Sequence, residues 1–209
     1  MATVGCVDET ATSADENAGG ATSPDENAET VTFPDANLEA AVRDALGIPV
    51  DEPITVDELA TLTLLDAMSS DISDLSGLEY CTSLDGLNLY DKQVSDLSPI
   101  AGLTSLTALD LGNNPVSEIA SLSSLTDLSE LVIGDNQVSD ISPLASLTNS
   151  TFLYLGRTQI SGISALVENS GLDAGDELWI EDTNLDLNEG SDDMGNITTL
   201  EGRGVTVHY

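Results

Sequence analysis

The sequence predicts an α/β solenoid, a right-handed coil with short parallel strands on its concave face. A helical cap closes its N-terminal end, and a helix followed by a strand closes its C-terminal end. Three observations carry that prediction. Apolar residues recur with a 22-residue step through the middle of the 209-residue chain. Within each step they fall at uneven offsets, which neither the helical period nor strand alternation explains. Amphipathic helical segments flank the periodic region.

The first thirty residues duplicate "ATSADENA" (Ala11–Ala18) as "ATSPDENA" (Ala21–Ala28). These small, acidic and turn-forming types cannot bury a core, so residues 1–30 are expected to be a disordered acidic tether. Ahead of the duplication, "TVGC" (Thr3–Cys6) resembles the end of a bacterial lipoprotein signal, in which the cysteine becomes the lipidated first residue. Threonine replaces the usual leucine of that motif, and the preceding apolar segment is missing. Cys6 is therefore either a lipidation site or a plain thiol, and one acyl chain would give only marginal membrane attachment.

Residues 31–61 are expected to form the N-terminal cap. "PDANLEAAVRDALG" places Leu38, Ala41, Val42, Ala45 and Leu46 on one helical face, with Asp35 as N-cap and Gly47 as the stop. In "TVDELATL", Thr55 and Glu58 have the spacing of a capping box.

Residues 62–187 hold about six repeats. One inward column reads Leu65, Leu87, Leu109, Leu131 and Leu153, and the next reads Ala67, Leu89, Leu111, Ile133 and Leu155. Further columns are Ile72, Val94, Val116, Val138, Ile160, then Leu75, Leu97, Ile119, Ile141, Ile163, then Leu78, Ile100, Leu122, Leu144, Leu166. A degenerate sixth unit uses Leu178, Ile180 and Leu185 after a three-residue insertion. This period and the LxxLxLxxN pattern are those of leucine-rich repeats. One unit cannot bury its own apolar face, so the units must stack. Asn114 and Asn136 take the turn position, where an amide can satisfy the backbone. Ser70, Lys92, Thr158 and Thr183 replace them elsewhere, and Lys92 is expected to snorkel outward. Leu185 and Leu187 are expected to point inward. Residues 188–209 form the expected C-terminal cap, a helix through Met194, Ile197 and Leu200 and a strand at Val205–Val207.

The units containing "QVSDLSPIAGLTSL" and "QVSDISPLASLTN" resemble internalin-type leucine-rich repeats of bacterial and archaeal proteins. The lead-in "VTFPDANLEAAVRDALG" and the closing "GSDDMGNITTLEGRGVTVHY" resemble the caps of that family. The resemblance implies a non-catalytic recognition module, extracellular or at the cell surface. Adhesion to a host receptor is not implied, since no immunoglobulin-like segment or wall-anchoring tail is seen. The alternatives are an intracellular scaffold or regulatory subunit, consistent with the absence of a signal peptide from the chain as given, and, further off, a carbohydrate-active enzyme.

Residues between the inward leucines face outward on the concave side. The central column is Asp66, Asn88, Asp110, Val132, Tyr154 and Trp179. Flanking it are Leu64, Gly86, Ala108, Glu130, Phe152 and Glu177 on one side, and Met68, Tyr90, Gly112, Gly134, Gly156 and Glu181 on the other. The candidate ligand site is Phe152, Tyr154 and Trp179 with Tyr90, ringed by Glu130, Glu177, Glu181 and Asp182, because exposed aromatics anchor interfaces. Arg157 beside them is expected to pair with an acid. The alternative is that these rings pack under the C-terminal cap and seal the solenoid.

The chain has 38 acidic and 4 basic residues, a formal net charge of −34, which disfavours nucleic acid and anionic lipid as partners. Acid spread along the whole chain points to a salt-loving source and to salt-dependent stability. A protein or glycan is the expected partner, with membrane contact only through Cys6, and a monomer is expected. The single histidine, His208, gives no evident Ser/His/Asp arrangement, and no phosphate-binding loop appears. No catalytic residue, cofactor or metal is expected. In "DTNLDLNEGSDD" the acids approach calcium-loop spacing, but Leu187 stands where that loop needs glycine. Asn149 and Asn196 lie in glycosylation sequons.

Overall fold

The computed structural model describes residues 3–5, 28–67 and 71–209. Its centre is a seven-stranded parallel sheet, one three-residue strand per coil. The strands are β4 (Leu64–Asp66), β5 (Gly86–Asn88), β6 (Ala108–Asp110), β7 (Glu130–Val132), β8 (Phe152–Tyr154), β9 (Glu177–Trp179) and β10 (Thr206–His208), paired in chain order. Leu65, Leu87, Leu109, Leu131, Leu153 and Leu178 stand opposite one another in one row, which Val207 continues. The five inner columns are buried throughout, so the 22-residue step is one full coil. The far wall is made of 3-10 turns at Leu78–Tyr80, Ser98–Ile100, Ala120–Ser124 and Ser142–Ser146, and of α3 (Ser164–Glu168).

The N-terminal cap contains α1 (Ala36–Leu46) and α2 (Val56–Leu59). Asp35 caps α1 by accepting from the N–H groups of Asn37 (2.9 Å) and Leu38 (3.2 Å), and Gly47 ends it at φ 70°. The other Asp35 oxygen accepts from the N–H groups of Ser73 (2.8 Å) and Asp74 (3.3 Å), so one carboxylate ties the cap to the first coil. Burial works to raise the Asp35 carboxyl, but these four N–H groups together hold it below its ordinary value. The Thr55–Glu58 capping box is present in both directions.

A second, antiparallel sheet joins β1 (Thr3–Gly5), β2 (Thr30–Thr32) and β3 (Ile54–Thr55). The expectation of disorder across residues 1–30 is corrected at Thr3–Gly5, which forms a strand. Such a short pairing has no sequence signal of its own, because the cap supplies the partner edge. The candidate lipidation site Cys6 lies outside the described residues, as do Met68 and Ser70.

The turn positions explain what holds consecutive coils together. Asn136 donates to the carbonyls of Leu111 (2.9 Å), Ile133 (2.9 Å) and Gly134 (3.0 Å), and its oxygen accepts from the Val116 N–H at 3.0 Å. Asn114 repeats this pattern one coil earlier, on Leu89, Leu111, Gly112 and Val94. Each amide thus bonds its own coil and the preceding one. Thr158 and Thr183 donate only to the carbonyls of Leu155 (2.7 Å) and Ile180 (2.8 Å), within their own coils. Lys92 does not snorkel. It is 4% exposed, and its ammonium donates to the Asp91 carbonyl at 3.1 Å. The asparagine site is a closed polar niche under the turn, and the lysine head folds back into it.

The insertion in the last repeat is absorbed on the far wall. Buried Asn169 donates to the carbonyls of Leu144 (2.9 Å) and Leu147 (3.0 Å), and a side chain at Gly171 would strike the Thr148 carbonyl. The closing helix α4 (Asp192–Arg203) is capped by Ser191, and its Arg203 donates to the carbonyls of Val167 (2.6 Å) and Asn169 (3.1 Å). Leu185 is partly buried, but Leu187 is 46% exposed, which corrects its inward assignment. The inward assignment takes this stretch as a further turn of the solenoid, and the chain leaves the coil toward α4 instead. Burial, reinforced by Glu79, pushes the Cys81 thiol up to about 12, so it is an unreactive core residue.

Candidate functional site

On the outward side of the parallel sheet, register converts sequence columns into rows. Asp66, Asn88, Asp110, Val132, Tyr154 and Trp179 stand opposite one another, and His208 continues the row on β10. The aromatic stripe is therefore longer than the sequence suggests. Trp179 stacks on His208 with ring centroids 3.7 Å apart and planes 15° apart. Tyr154 lies 6.4 Å from Trp179 on the other side, tilted by 36°. The only signal for His208 in the sequence is its place directly after Val207 of the last strand, with no following repeat to align it.

Phe152 stands one column across, opposite Glu130 and Glu177 in the neighbouring strands. Glu177 accepts from the Trp179 indole N–H at 3.3 Å, fixing the ring's orientation. Glu181 lies over Gly156, where an added methyl would meet its carboxylate, and among the described residues one of its oxygens is buried without a hydrogen-bond partner. Burial and the adjacent Glu181 carboxylate both push the Tyr154 phenol up. The Tyr154 ring covers Gly134, and a methyl group there would fall 2.2 Å from it. Tyr90 belongs elsewhere on the face. It is 46% exposed and rests over Gly112, with two strands between its coil and that of Phe152.

The edge of the face carries a row that sequence reasoning missed. Asp91, Asn113, Asp135, Arg157 and Asp182 all have positive φ, between 54° and 59°. They form an alternating chain of acceptors and donors. Asn113 donates to Asp91, and Arg157 pairs with Asp135 at 3.1 Å and reaches Asp182 at 4.0 Å. The expected pairing of Arg157 with acids is thus intramolecular, and carboxylates two coils apart have a donor between them.

The other half of the face is bare. Leu64, Gly86 and Ala108 line a trough of about 340 Å³ with Val132, and Asp66, Asn88, Asp110 and Glu130 border it. Leu64 is 64% exposed and lies across Gly86, where a methyl would meet it at 2.7 Å. The sequence columns place Leu64, Gly86 and Ala108 side by side, but the open space they leave is seen only in the structure.

The acids of the calcium-like stretch serve the local backbone. Asp193 accepts from the Asp186 N–H (3.0 Å), and Asp186 accepts from the Asn188 backbone N–H (3.0 Å) and side-chain amide (2.6 Å). Among the described residues, no group of three or more His, Cys, Asp or Glu side chains is placed to hold a metal ion. Asn149 donates its amide to the Thr126 carbonyl at 2.9 Å, and Asn196 lies half-buried on α4. No helix among the described residues is long and apolar enough to cross a membrane.

Comparison with known proteins matches residues 104–146 to the family of leucine-rich repeats (2 copies). An internalin (inlF) from Listeria monocytogenes superposes with a TM-score of 0.71 at 32% identity, over 84% of this chain. The chain spans 56% of that protein's length. A leucine-rich-repeat protein from Leptospira interrogans, 18% identical, superposes at 0.64 over 73% of this chain and 38% of its own. The functional domain of InlJ from Listeria monocytogenes, 22% identical, does so at 0.52 over 75% and 43%. At those identities the last two speak for the fold alone. Comparison with curated proteins finds no match.

Proposed function

We propose that this chain, an internalin-type leucine-rich-repeat protein, works as a non-catalytic binding module that holds a protein partner on the concave face of its sheet. The observation that carries the reading is the Tyr154–Trp179–His208 row. These half-buried rings stand side by side on the parallel ladder, each partly open to solvent. Preorganised aromatics of this kind lose little freedom on binding and anchor interfaces. Phe152, Glu130, Glu177 and Glu181 border the anchor, and Tyr90 extends the contact toward the other half. The carboxylates set the sign of the partner, a surface bearing cationic groups.

A place at or outside the cell surface is part of the same reading, supported by the lipoprotein-like "TVGC" start and the two sequons. Mass spectrometry of Cys6 in the native host would show an acyl group if the tether is anchored. A free thiol on a cytosolic chain would favour an intracellular scaffold instead.

The central claim is tested by capture from a cell-surface protein fraction, comparing the wild type with Trp179→Ala and with Ser123→Ala on the far wall. Loss of capture by the first and retention by the second is expected. Equal capture by both would remove the aromatic row from the function.

A further inference from the structure

The trough on β4–β7 adjoins the aromatic row at Val132 and Glu130, and its chemistry is different. Its floor is apolar, made of Leu64, Ala108 and Val132 with the backbone of Gly86. Its border carries three carboxylates, Asp66, Asp110 and Glu130, and, among the described residues, no basic side chain. Four strands at about 4.8 Å spacing give it a length of roughly 14 Å, enough for an extended side chain and the backbone that bears it.

Asp110 is the informative residue. It is half-buried on the border of the trough, two residues along β6 from Ala108, and one oxygen accepts from the Gly112 N–H at 2.8 Å. Burial pushes its carboxyl up, against the lowering effect of that hydrogen bond. A carboxylate held beside an apolar floor is an unfavourable placement for folding alone, because its charge is partly stripped of water. A ligand with an aliphatic stem and a terminal cation would relieve it on both counts.

We propose that the trough is a second subsite, taking a lysine side chain of the protein partner, with the four-carbon stem along Leu64 and Ala108 and the ammonium at Asp110. The proposal rests on the reading of the concave face as the binding surface. Lysine suits the site because its flexible stem covers apolar surface while its head keeps a compact charge.

The probe is n-pentylammonium, with n-pentanol as its uncharged counterpart, titrated into protein labelled at the leucine methyl groups. The spectrum is read at the methyls of Leu64 and at the indole of Trp179, the chain's single tryptophan. A saturable shift at Leu64 is expected, with the amine binding roughly fivefold more tightly than the alcohol, the weight of a partly exposed ion pair. In Asp110→Asn the two probes should bind alike, while the alcohol's own affinity stays unchanged. Leu64→Ser should weaken both probes to a similar degree.

Equal binding of amine and alcohol to the wild type would overturn the proposal. So would an amine preference that survives in Asp110→Asn, a shift confined to the Trp179 indole, or no shift of Leu64 at any concentration the fold tolerates. Those failures leave the capture result for Trp179→Ala standing, so the subsite and the aromatic anchor fail separately.

Discussion

The middle coils, around β6 and β7, and the closing coils, around β8 to β10, share one backbone ladder and are held in different ways. In the middle, Asn114 and Asn136 each bond their own coil and the one before it, and the outward strand residues carry no aromatic ring. At the end, Thr158 and Thr183 bond only within their own coils, and large rings fill the outward row. Arg203 adds a clamp from α4 onto the last far-wall turn. Where the asparagine staple is absent at this end, side-chain contacts across coils take its place. The rings at the end hold the last coil in place, and in the proposed reading they also anchor a partner, whereas the middle of the face stays open.

The broadest challenge to this comparison is removal of salt. With a net charge of −34, transfer from molar to millimolar salt should lower Tm by more than any single substitution below, because screening acts on every acidic pair at once. A flat Tm across that range would contradict it. Next in size is Asn136→Ala, which strips three carbonyls and one N–H of a buried partner and should cost about 3 kcal/mol or more. In a domain of this size that lowers Tm by about 10 °C. Calorimetry showing a change near that of Thr158→Ala, expected at about 1 kcal/mol, would erase the distinction between the two kinds of turn.

Trp179→Ala should fall between those values, about 1 to 2 kcal/mol. Its effect should be local, because each coil contacts only its neighbours. Hydrogen exchange is expected to speed up in β9 and β10 and stay unchanged in β6. Uniform loss of protection would mean that the closing coils are not a separate unit.

The smallest effects concern pH, where two carboxyls should act in opposite directions. Asp35 titrates below its ordinary value when folded, so its contribution is present above the unfolded value, near pH 4, and is lost as pH falls through the folded one. Asp110 titrates above its ordinary value, so its contribution is present below the unfolded value and is lost as pH rises through the folded one. Asp35→Asn should therefore lower Tm at neutral pH and flatten its acid dependence. Asp110→Asn should leave Tm unchanged or slightly higher at neutral pH. Urea titrations at neutral and acid pH would separate them, and a clear loss of stability in Asp110→Asn at neutral pH would argue that Asp110 serves folding instead of binding.

The repeat, its inward columns, the caps at Asp35, Gly47 and Thr55, and the outward aromatic column were all legible in the amino-acid sequence. The reason is that one coil equals one period, so aligning residues by period also aligns them in space. Other features were decided only by the tertiary structure. His208 joins the aromatic row because β10 docks beside β9 without repeating its sequence. Lys92 is buried because the niche beneath the turn is closed by neighbouring coils, a property no single repeat contains. β1 exists because the cap offers an edge to pair with, and the trough because consecutive strands leave open space over Leu64, Gly86 and Ala108. Period and pattern are properties of the chain, but an open groove or a closed niche is made by several coils together.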